Sequence, residues 1–212
     1  MSNNDTSFPW AGLLDISAII GISLALLYTA GWSYAYHYFQ CFHLGLIGLG
    51  IEREYLLLYG FQVCKAHWCL VPLCLLAAFG LPLLFQRCWQ QRPELRSRLR
   101  AVAQIGGPIG LLFLFIVFYQ LGAWTGHDIF ASEQRGDFPD YPRVQVWLKD
   151  KQDKRGEAWA KGCYRLLLRG KEQLYLFRPD GVSERLPTEI VPNSEVGAVR
   201  LLPLYQTTAD CR

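Results

Sequence analysis

The sequence predicts a membrane α-helical domain, three transmembrane helices plus an interfacial or re-entrant helix. A small mostly-β C-terminal domain follows, built as an antiparallel sheet or open barrel. Three observations lead there. Charge is segregated: of 21 Lys and Arg and 18 Asp and Glu, residues 1–123 hold only 7 and 5. Three apolar runs in that part are each long enough to cross a bilayer as helices, and period-two alternation begins at Arg143. A chain of 51% hydrophobic and 18% charged residues, so divided, is neither one soluble domain nor a disordered chain. A dispersed net charge of +3 gives no footprint for nucleic acid.

The membrane domain covers residues 1–124, with spans expected at about 11–30, 67–85 and 105–124. At about 1.5 Å per residue, some 20 residues cross a hydrocarbon core of about 30 Å. Met1–Asp5 carries no Lys or Arg, so the first run reads as an uncleaved span rather than a signal peptide. Pro72, Pro82 and Pro108 predict kinks, which neighbouring helices can tolerate. Asp15, the one acid in a span, falls near the helix N-terminus, where the dipole favours an anion at the headgroup level.

Arg87, Arg92, Arg96, Arg98 and Arg100 face only Glu94 between the second and third spans. Arginine density of this kind belongs on the cytoplasmic side, where it also meets lipid headgroups. The expectation is a multi-pass inner-membrane protein with a cytoplasmic N-terminus and a periplasmic C-terminal domain. Ser17, Gly21, Ala25 and Thr29 recur every fourth residue, as do Gly106 and Gly110. Such faces let helices approach closely, within this chain or toward a partner.

The loop from Gly31 to Lys65 is rich in aromatic residues. Trp32, Tyr34, Tyr36, Tyr38 and Phe39 suggest an interfacial belt, and an interfacial helix is expected over about 51–62. His37, Cys41 and His43 cluster here, as do Cys64, His67 and Cys69. These residue types ligate zinc or copper, but their spacings match no metal or haem template, so no cofactor is expected.

Residues 125–140 read as a linker and 141–212 as the β domain. Strands are expected at Val144–Leu148, Cys163–Arg169, Gln173–Arg178, Ser183–Pro187, Glu189–Val191 and Gly197–Leu202. The charged stretch after Asp150 suits a short helix or a long turn. Cys163 and Cys211 are the domain's two cysteines; in an oxidising compartment they could pair, the alternative being two separate thiols.

No catalytic constellation is present; Ser132, Ser183 and Ser194 have no nucleophile-elbow context. The expected function is non-enzymatic: binding of a protein partner, as an accessory subunit, envelope sensor or immunity-type protein. Two alternatives stand beside it: a subunit of an oligomeric channel or transporter, and a redox or metal-handling protein using the loop Cys and His. The expected partners are membrane lipid and either a protein or further copies of the chain, not nucleic acid.

Overall fold

The computed structural model describes the backbone of residues 10–76, 93–150, 153–179 and 185–203. Side chains are described for 17–76, 108–150, 153, 155–179 and 185–203. In chain order come α1 (Trp10–Gln40), a 3-10 turn (Leu46–Leu49), α2 (Arg53–Ala66), α3 (Leu70–Leu75) and α4 (Pro93–Arg135). Then follow β1 (Arg143–Leu148), α5 (Lys154–Ala160), β2 (Tyr164–Arg169), β3 (Gln173–Phe177), β4 (Thr188–Pro192) and β5 (Val196–Leu201).

Two described helices are long and apolar enough to cross a membrane, over Ser17–Gln40 and Pro108–Arg135. The first extends well past residue 30 because no proline intervenes and the single Gly31 is held in the helix by close packing on α2. Of the expected span at 67–85, residues 77–85 lie outside the described residues. The break between α2 and α3 has a local cause. Pro72 offers no N–H to residue 68 and crowds its carbonyl, so the chain turns at 67–69 while Leu70 and Val71 still bond the His67 carbonyl at 2.9 and 3.0 Å.

The expected linker is corrected in its first part. Residues 125–135 continue α4, and only then does the chain turn, with Asp137 and Phe138 both at positive φ (58° and 52°). Gly and Asp in this stretch suggested a coil, but buried Thr125 and Phe130 pack and hold it helical.

The chain forms two compact units, Met1–Tyr34 with Arg53–Thr125, and Ala35–Glu52 with Gly126–Arg212. The β unit thus takes in the end of α1, the following loop and the end of α4, beyond the expected 141–212. In the helical unit, Leu26, Ala30, Ser33 and Tyr34 of α1 are buried, as are Leu56 and Val63 of α2 and Leu114, Phe118 and Leu121 of α4. Ile19, Ile20 and Leu24, with Ile109, Leu112, Phe113 and Ile116, are exposed and form the apolar outer surface that a lipid-facing helix requires.

In the β unit the five strands are all antiparallel, in the order β4-β3-β2-β1-β5. The two edge strands are joined by residues 193–195 alone. Laid flat, five strands at about 4.8 Å spacing would set those edges roughly 19 Å apart, beyond the ~14 Å that four Cα steps reach. The sheet must therefore curl into an open barrel. Its inside holds Val144, Val146, Leu174, Leu176 and Val191, plugged by Trp159 of α5. Asp153 caps α5 by accepting from the Arg155 backbone N–H at 2.9 Å. Strand β3 is buried on both faces: Leu174 and Leu176 point into the barrel, Tyr175 and Phe177 away from it.

Strands were expected close to where β1, β2, β3, β4 and β5 lie. The expected strand at 183–187 differs: residues 183–184 lie outside the described residues, and 185–187 are not in a strand.

Candidate functional site

Among the described residues, helix contact does not use the expected small-residue face. Space around Gly21 and Gly110 is open, and Ser17, Gly21 and Ala25 are exposed. Thr29 donates to the Ala25 carbonyl at 2.8 Å, a bond within its own helix. Gly106 lies in a part of α4 whose side chains fall outside the described residues. The close approaches are made by three other glycines. A methyl group on Gly31 would overlap the Leu56 carbonyl oxygen, one on Gly60 the Leu27 carbonyl, and one on Gly122 the Ala30 carbonyl. Ser33 adds a buried interhelical bond, donating to the Tyr119 carbonyl at 2.6 Å. Spacing marks a small-residue face; it does not say which face meets a neighbour.

The six metal candidates do not converge. Among the described residues no group of three or more His, Cys, Asp and Glu is arranged to hold a metal ion. His67 and Thr125 are in contact in the helical unit (Nε2–Oγ1 3.1 Å), so the end of α2 meets α4. Cys64 is half-buried, Cys69 exposed, and both are free thiols. His43 sits exposed at φ 56° in the turn after α1.

His37 and Cys41 belong to the β unit and lie one helical turn apart, with the Cys41 thiol donating to the His37 carbonyl at 3.3 Å. A third residue joins them. His127 Nδ1 is 3.7 Å from Cys41 Sγ, and its ring packs edge-on to His37 at 5.4 Å between centroids. Burial pushes the Cys41 thiol up, against an opposing pull from the Arg185 guanidinium. The thiol is therefore neutral at physiological pH, and the pair is not a primed nucleophile.

The loop aromatics are also corrected. Of the five expected belt residues, Tyr34, Tyr38 and Phe39 are buried, Trp32 is half-buried and Tyr36 is exposed, and Phe42 is buried in the β unit with Tyr38 and Phe39. Phe42 stacks on Phe130, Phe138 and Phe177 at 5.2, 5.9 and 4.9 Å, mostly edge to face. Phe177 reaches this cluster from the outer face of β3. Hydrogen bonds complete the seat: Leu186 N–H donates to the Cys41 carbonyl and the Thr188 hydroxyl to the Phe42 carbonyl, both at 2.8 Å. Inside the cluster the Tyr38 hydroxyl donates to the Glu133 carboxylate and lies 2.6 Å from the Tyr141 hydroxyl.

Beside it, the buried Arg165 donates to the Tyr141 carbonyl at 2.6 Å and to Asp137 at 2.8 Å. This pins the left-handed corner at 137–138. His127, Glu133, Tyr141 and Arg165 were missed in the sequence because their partners lie about a hundred residues away or in another element. The alternation of aromatic residues over 34–42 was the one local signal.

Arg96, Arg98 and Arg100 fall in the first turns of α4, with side chains outside the described residues; Arg87 and Arg92 lie outside altogether. Cys163 is disulfide-bonded, and Cys211, the expected partner, lies outside the described residues. Compared with known proteins, the chain matches no family model, no curated protein and no solved structure.

Proposed function

We propose that the chain is a multi-pass inner-membrane protein without catalytic activity, which presents a periplasmic β barrel and acts by binding a protein partner. The carrying observation is the division of labour among its small residues. Among the described residues, its helices close on Gly31, Gly60 and Gly122, while nothing comes within contact of Gly21 or Gly110, and Ala25 is exposed. A face that admits close approach and meets none of the described residues suits a helix of another chain.

Three crossings are supported by direction. Ser33 meets Tyr119 and Cys41 meets His127, each pair 86 residues apart, and a constant offset means that α1 and α4 run parallel. Two parallel crossings need a return between them, which is the role proposed for the apolar run expected at about 67–85. The disulfide at Cys163 supports an oxidising compartment for the barrel.

The test is affinity purification of tagged chain from native membranes in mild detergent, comparing the natural sequence with Gly21→Leu. An added Cβ at Gly21 meets none of the described residues, so, with the variant's fold checked by its thermal unfolding in the same detergent, loss of a stoichiometric partner supports the reading. Recovery of a monomer with nothing bound from both would overturn it. A discrete homo-oligomer sensitive to the same change would favour the channel alternative.

A further inference from the structure

Cys163, just before β2, is disulfide-bonded. Of the seven cysteines, Cys41, Cys64, Cys69 and Cys74 are free thiols. That leaves Cys88 and Cys211 as partners, both outside the described residues. We propose that Cys163 is joined to Cys211, a covalent strap that fastens the segment after β5 to the start of β2.

Reach separates the two candidates. Helix α4 runs unbroken for 43 residues from Pro93 to Arg135. At about 1.5 Å per residue its ends stand roughly 63 Å apart. Cys163 stays near the C-terminal end, because Arg165, two residues on, donates to Asp137 at 2.8 Å. Even with both side chains and the backbone at full stretch, that bond keeps Cys163 within about 28 Å of Arg135. Cys88 precedes Pro93 by five residues, which reach about 18 Å at most. A disulfide adds less than about 7 Å between Cα atoms. Together these fall short of the length of α4, and a proline bend of the usual size at Pro108 shortens the helix by only a few ångström.

Cys211 meets no such obstacle. Leu202 donates its N–H to the Arg143 carbonyl at 2.8 Å and lies beside Gly162, where an added methyl would stand 2.8 Å from its Cδ1. From Leu202, nine residues lead to Cys211, enough to span about 30 Å. Closing the bond oxidises two thiols to one disulfide. The two electrons and two protons pass to the disulfide of a dithiol oxidoreductase, which leaves as its dithiol. The ring so closed contains β2, β3, β4 and β5, so it limits how far the open barrel can unroll. This inference is independent of the partner-binding reading.

The experiment uses the full chain from native membranes, with free thiols blocked by N-ethylmaleimide at lysis. Trypsin digestion without reductant and mass spectrometry then map the bond. The tryptic peptides Gly162–Arg165 and Leu201–Arg212 are expected as one linked species that is lost on reduction. In variants, Cys211→Ser should turn Cys163 into a thiol that takes up maleimide, whereas Cys88→Ser should leave it protected. A peptide linking Cys163 to Cys88, or Cys163 already blocked by maleimide in the natural chain, overturns the proposal. So does a linked species found only in a dimer on a non-reducing gel. The peptide map is read on the natural sequence, so it stands even if Cys211→Ser fails to fold.

Discussion

Gly122 of α4 lies in backbone contact with Ala30 of α1, so close that a single methyl group there would overlap the Ala30 carbonyl oxygen. Where lipid offers no hydrophobic drive between helices, such contact is gained through dispersion and through bonds like Ser33 to Tyr119.

Gly122→Ala should therefore lower stability by about 1–3 kcal/mol, the usual range for overpacking a closed contact. Gly110→Ala, in the interior of the same helix with open space around it, should hold stability or raise it by up to about 1 kcal/mol. Thermal unfolding of both variants in one detergent checks this; equal midpoints would show that α1 and α4 do not close at Gly122.

Phe42→Ala removes the ring shared by Phe130, Phe138 and Phe177. A loss of about 3–5 kcal/mol is expected for a buried aromatic. Ile47→Ser, five residues on and 94% exposed, should cost nothing measurable. Chemical denaturation followed by tryptophan fluorescence distinguishes the two.

Glu189 on β4 accepts from the Trp159 indole N–H and, at 2.8 Å, from the Tyr164 hydroxyl, tying α5 and β2 to the sheet. Burial, and then the Glu189 hydrogen bond, push Tyr164 up to about 12 from an ordinary value of 10. The folded state thus favours the neutral phenol. Its stabilising contribution is complete below pH 10 and is lost as pH rises from 10 toward 12. Tyr164→Phe should flatten the fall in stability over that window, measured as the unfolding midpoint between pH 9 and 12.

Arg165 is 5% exposed, and its Nε has no hydrogen-bond partner, so its charge is balanced chiefly through Asp137. Asp137→Asn keeps a residue tolerant of positive φ but leaves that charge poorly compensated. Because Asp137 itself is largely exposed, a loss of about 1–2 kcal/mol is expected rather than the larger value of a fully buried pair. Asp137→Asn as stable as the parent would show that Arg165 is held by the Tyr141 carbonyl alone.

The elements were legible in this chain wherever the cause is local. Apolar length marks α1 and α4 and alternation marks β1 to β3, because each follows from residues within one or two turns, while Pro72, expected to kink a span, instead accompanies a break before α3. The helical end of α4 was hidden, since Gly126, Asp128 and Asp137 carry turn chemistry and only burial of Thr125 and Phe130 outweighs it. The candidate site was half legible: His37 and Cys41 share a helical face, whereas His127 reaches them from 86 residues away.

Composition and period thus specify an apolar helical part and a charged β part, because hydropathy and alternation are properties of neighbouring residues. Which glycines close the helix contacts, and which aromatic residues leave the interface for a core, depends on surfaces brought together by folding. Gly21 and Gly122 differ little in sequence context. Only the position of Ala30 makes one of them indispensable.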